Sequence, residues 1–107
     1  MTGEKELLER MQSGDIIAFN LLYEKYAPLL YGWITRLTNN EIIACSILQK
    51  SFIAIGSGTP PYNDSERTLF TWMLKITMKN CYTMLRLADK KMFVELRQKT
   101  KDDLHNR

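Results

Sequence analysis

The chain has 107 residues, enough for one modest hydrophobic core and too few for two. It is 45% hydrophobic and 25% charged with a net charge of +3, a balance that excludes both a disordered polar chain and a membrane-embedded one. The charge is uneven: residues 1–30 carry −2 and residues 66–107 carry +5, so a polyanionic partner is expected for the C-terminal half.

In chain order, "MTGEKELLER" has no apolar signal-peptide core, and no window is apolar enough to span a membrane. A cytoplasmic location without a membrane partner is therefore expected. "EKELLERMQ" reads as a short amphipathic helix that stops at "SGD", where Gly14 releases the turn and Asp15 stands as an N-cap. From Ile16 the apolar positions Phe19, Leu22, Tyr23, Tyr26, Leu30, Trp33, Ile34 and Leu37 follow a helical period. Pro28 lies inside this run and is expected to bend the helix or split it. After the capping residues Thr38–Asn40, a third helix from about Glu41 to Ile55 is apolar on most sides, as a central helix would be. "GSGTPPYNDS" is the one real loop, and Ser65 is expected to cap a last long helix running past Lys90. With no strand signal or repeat, the expected fold is all-α, a bundle of about four helices around one core. Cys45 and Cys81 read as small buried hydrophobes, and the lone His105 lies in a polar tail, so neither a metal nor a cofactor is expected.

The last helix carries a ladder of cations and rings. At about 100° per residue, with Lys75 at zero, Tyr82, Arg86, Lys79, Trp72, Lys90 and Thr83 share an arc of about 100°. The rest of the circle is apolar, so one face packs and the other is wet. Two readings stay open: a solvated face with Trp72 tucked under lysine stems, or a surface for a nucleic acid strand, in which cations neutralise phosphates and rings stack on unpaired bases.

A series of short motifs runs through the chain: Gly14-Asp15, Ala18-Phe19, Leu22-Tyr23, Tyr26-Ala27-Pro28, Leu30-Tyr31, Arg36-Leu37-Thr38, Ala44, Leu48-Gln49, Phe52, Tyr62, Trp72, Ile76 and Leu85-Arg86. In order and spacing it resembles region 2 of bacterial RNA polymerase sigma factors, of the extracytoplasmic-function (ECF) type within the sigma-70 family. The resemblance implies a domain over 1–92 that binds core RNA polymerase and holds the non-template single strand of the promoter −10 element. The third helix would meet a coiled coil of the largest polymerase subunit, with Ser46, Leu48, Gln49, Lys50 and Phe52 on the facing or supporting helix. Tyr62, Asn63 and Ser65 would fall in a loop that captures a flipped base, and Trp72, Lys75, Lys79, Tyr82 and Arg86 on the strand-tracking face.

Three departures qualify what is carried over. Acidic residues usually flank the leucine and glutamine of the third helix, where Ser46 and Lys50 stand here; a reversed charge costs affinity or selects another partner. On the last helix Lys79 and Thr83 occupy positions usually held by asparagine and aspartate. After Met92, "FVELRQKTKDDLHNR" matches a polar linker or tail over 93–107, so the family's second promoter-reading domain, region 4, is not expected within these residues, whether it was left off or never belonged to the protein. Paired acid–base residues and phosphate-cradling glycine loops are lacking, so no enzyme activity or small-molecule substrate is expected. The alternative is a degenerate sigma-like interaction module that binds polymerase or an anti-sigma factor without recognising a promoter.

Overall fold

A computed structural model describes residues 3–58, 61–62 and 68–105, with side chains beyond Leu87 only at Val94 and Gln98. Among the described residues there are four helices and no strand: α1 (Glu4–Gln12), α2 (Ile16–Thr38), α3 (Glu41–Ser57) and α4 (Leu69–His105). Backbone of the expected tail, 93–105, is helical and continuous with α4.

Each boundary has a chemical cause. The chain leaves α1 through Gly14, whose φ of 95° suits a residue without Cβ. Asp15 then caps α2, its carboxylate accepting from the backbone N–H of Ile17 and Ala18 at 2.9 and 3.2 Å. Arg10 holds the other carboxylate oxygen at 2.8 Å, which ties the end of α1 to the start of α2. Asn39 closes α2 in the left-handed region, and the side chain of Asn40 accepts from Ile43 N–H to start α3. Gly58, at φ 75°, ends α3. Thr68 Oγ1 accepts from Thr71 N–H at 3.0 Å at the head of α4; the expected cap, Ser65, lies outside the described residues.

Pro28 does not split α2, which is one element of 23 residues. Leu22 and Tyr26 before it and Leu30 and Ile34 after it are all buried, so packing on both sides holds the helix through the missing backbone donor. Burial of each such side chain contributes about 1.5–3 kcal/mol, enough to offset the roughly 3 kcal/mol an interior proline costs.

Successive helices fold back on one another. Glu4 at the head of α1 accepts from Lys25 Nζ at 2.5 Å and from Tyr26 Oη, pairing the far end of α1 with the middle of α2. Phe52 packs its ring against Phe19 and Tyr23 of α2, with centroids 6.2 and 4.8 Å apart. Two polar contacts join α3 to α4: Asn80 Nδ2 donates to Ser51 Oγ at 3.1 Å, and Lys50 Nζ donates to Met84 Sδ at 3.5 Å. Buried Ser51 and Thr77 donate back to the carbonyls of Ile47 and Met73, so neither hydroxyl is left bare.

Two expectations are corrected here. α3 is not sheathed on most sides: Ile42 and Ile53 are 84% and 72% exposed, because only the face carrying Ala44, Ile47, Leu48, Ser51, Phe52 and Ile55 is covered. Cys81 of α4 is buried, but Cys45 is exposed on the uncovered side of α3.

Candidate nucleic-acid interface

Cover along α4 is uneven, and this decides which side chains reach water. In its first turns no residue from Leu69 to Leu74 is exposed. From Lys75 onward the helix is covered on one side only, and Lys75, Lys79, Tyr82, Thr83, Arg86 and Leu87 are exposed. The buried arc rotates along the way: Trp72 and Ile76 fill it near about 60–100°, Thr77 and Cys81 near about 200–240°.

The aromatic end of the expected ladder therefore moves. Trp72 is 2% exposed and belongs to the core, not to the wet face. Its azimuth is close to that of exposed Thr83, but it lies three turns earlier, where neighbouring elements cover both flanks of the helix. Tyr62, half-buried in the loop, meets its indole edge-to-face with centroids 5.5 Å apart. The Trp72 Nε1–H is buried and has no hydrogen-bond acceptor among the described residues. Such an orphan donor costs about 1–3 kcal/mol.

What remains on the surface is a strip of Lys75, Lys79, Tyr82 and Arg86, with Tyr82 78% exposed. Leu69–Leu87 contains no carboxylate, and the first acid of α4, Asp89, follows Arg86 by three residues. Asn80 is turned off this face into the α3 seam, where it bonds Ser51. Asn63 and Ser65 lie outside the described residues, so of the expected loop set only Tyr62 is placed.

The expected polymerase-facing set also divides. Gln49 and Lys50 are exposed and Ser46 is half-buried, whereas Leu48 and Phe52 turn inward and support the helix from the core. The outer side of α3 thus presents Ile42, Cys45, Ser46, Gln49 and Ile53, an almost uncharged stripe. Beside it a cleft of about 390 Å³ opens between α2 and α3, lined by Met11, Phe19, Tyr23, Gln49, Phe52, Ile53 and Gly56. Sequence reasoning missed this cleft; the aromatic run Phe19, Tyr23 and Phe52 was its only sequence signal.

Electrostatic anchoring is concentrated at α1. Burial pushes the Glu4 carboxyl up, but hydrogen bonds from Lys25 and Tyr26 outweigh it and hold the group below its ordinary value. Burial, then the Glu4 carboxylate, pushes the Tyr26 phenol up to about 12. The Arg10 guanidinium, with the Ala18 N–H, lowers Asp15. No described helix is long and apolar enough to cross a membrane.

No protein-family model matches the chain. It is 34% identical over 83 residues to the ECF RNA polymerase sigma-E factor of Haemophilus influenzae, an overlap of 75% of this chain and 43% of that protein. It is also 29% identical over 75 residues to the RNA polymerase sigma-H factor of Pseudomonas aeruginosa, covering 70% of this chain and 38% of the relative. This chain carries a sigma-70 family region of the ECF type. The sigma region spans about two-fifths of the length of the curated relatives it matches.

Proposed function

We propose that this sigma region acts in transcription initiation by binding core RNA polymerase and holding the non-template single strand of a promoter −10 element. The observation that supports it most is the exposed strip of Lys75, Lys79, Tyr82 and Arg86 on α4. Lysines and arginine hold phosphates with little sequence preference, so they position the strand while base choice falls to the loop. Asn63 and Ser65 belong to that reading as loop residues, with Tyr62 braced on Trp72 at the loop's near end. Gln49, Lys50 and Ser46 would form the polar part of the polymerase-facing side, supported from beneath by Leu48 and Phe52.

The work is binding, not covalent chemistry. Each base taken out of the stack costs a few kcal/mol. Stacking on an exposed ring such as Tyr82 returns about 1–3 kcal/mol per base, and phosphate contacts supply the remainder in a salt-dependent way.

Two measurements test this. Core polymerase from the host should be captured by the purified chain, and fluorescence anisotropy should show binding of −10-like single strands that weakens as salt rises and on Lys79→Glu. Capture of polymerase with no binding to any oligonucleotide would leave the interaction-module reading in place of promoter recognition.

A further inference from the structure

We propose that α1 takes part in choosing a promoter base: Glu9 and Gln12, with Lys5 and the loop residue Tyr62, line a pocket that receives one base turned out of the strand and selects cytosine. The inference rests on the strand-holding reading of α4, and it adds the first helix to the loop as a reader of sequence.

Lys5, Glu9 and Gln12 stand at positions i, i+4 and i+7 of α1, so one face of the helix presents all three. That face lines a cavity of 140 Å³ together with Gly58, Pro61 and Tyr62. Gln12 is held in place there. Its Nε2 donates to the Ile55 carbonyl at 3.1 Å, which fixes the amide and leaves Oε1 to accept. A Cβ at Gly58 would stand 3.4 Å from Gln12 Nε2, so the glycine lets the amide lie close against the end of α3. The cavity meets the head of the strip through one ring. Trp72 lies about 60° from Lys75 and about 4.5 Å before it along the axis. Tyr62 covers Trp72 edge-to-face at 5.5 Å and also lines the cavity.

Size and hydrogen-bonding pattern name the base. The volume is close to the roughly 150 Å³ that encloses benzene, so it matches the single ring of a pyrimidine better than the two rings of a purine. The Glu9 carboxylate has no ion-pair partner among the described residues. It repels phosphates, so the strand backbone stays on the cations of α4 and a base edge is what suits this cavity. Glu9 and Gln12 Oε1 both accept. Cytosine meets an acceptor with its N4 amine, whereas thymine would set its O4 against the carboxylate. Lys5 adds a donor for the carbonyl oxygen of the same base, and the Tyr62 ring offers it a face to stack on.

The test is anisotropy of the full chain with −10-like single strands that carry cytosine, thymine or adenine at each position in turn. At one position the parent should prefer cytosine over thymine by about tenfold. That preference should vanish when the cytosine there is replaced by its analogue without the exocyclic amine. Glu9→Gln should erase most of the preference and leave the salt dependence in place. Lys79→Gln should do the reverse, weakening every strand and flattening the salt slope while the cytosine preference persists. A parent that binds strands in a salt-dependent way without preferring cytosine anywhere, or a preference unchanged in Glu9→Gln, overturns the pocket and leaves the strand-holding reading standing. A parent that binds no strand overturns both.

Discussion

Trp72 and Thr83 stand at nearly the same azimuth of one helix, about 60° and 80° from Lys75, and have opposite surroundings. Trp72 is enclosed by the start of the bundle and by Tyr62, whereas Thr83 is exposed among cations. Azimuth tells which residues share a face; it does not tell where along the axis that face is covered. Because the covered arc of α4 changes along its length, the two rings of the expected ladder divide: Trp72 belongs to the core and Tyr82 to the surface.

The sharpest way to break that division is to cut each ring away. Trp72→Ala should cost about 3–5 kcal/mol of unfolding free energy in a denaturant titration. Trp72→Phe should cost less than about 1.5 kcal/mol, since it keeps a ring against Tyr62 and removes the orphan Nε1–H. A Trp72→Ala protein as stable as the parent would show that the start of α4 is not enclosed. Next in size, Tyr82→Ala should lower single-strand affinity by about 1–3 kcal/mol while leaving the unfolding midpoint in place. Equal losses of affinity in Tyr82→Ala and Trp72→Phe would erase the distinction between the rings.

Smaller effects contrast α4 with the caps at the other side of the molecule. Asp15→Ala should cost about 1 kcal/mol of stability, read as an earlier denaturant midpoint with strand binding unchanged at full occupancy. Acid should loosen the same corner. Glu4 and Asp15 have depressed values, so their contribution is present above the unfolded carboxyl range and is lost as pH falls through the folded values, from about pH 4 downward. The Tyr26 phenol runs the opposite way: raised to about 12, it contributes at neutral pH and is lost as pH climbs from 10 through that value. Glu4→Gln should blunt both limbs of the pH–stability profile, and an unaltered profile would mean that the Glu4–Lys25–Tyr26 cluster does not hold α1 to α2.

Most of the fold was legible because its signals are local. Gly14 and Asp15 mark a turn and a cap by residue type alone, and the apolar period after Ile16 places α2. What escaped depends on contacts between helices. Pro28 announces a break, yet the buried residues on both sides of it keep α2 continuous. Lys50 looks outward by its place on α3 and is instead drawn to Met84 by the closeness of α4. Leu48 and Phe52 carry the family's pattern but face inward, so a motif can mark a scaffold as readily as a surface. The cationic and phenolic parts of the strip were legible since exposure there follows from the single-sided covering of the middle of α4.

The Trp72–Tyr62 edge-to-face pair has a practical consequence. The protein has two tryptophans, and the other, Trp33, is 44% exposed beneath the Arg36 guanidinium. Replacing Trp33 by phenylalanine would leave one sheltered indole whose nearest aromatic neighbour belongs to the segment leading into α4. Its emission wavelength and quenching would then act as a built-in optical gauge of that segment, recording any rearrangement on ligand engagement without an attached dye.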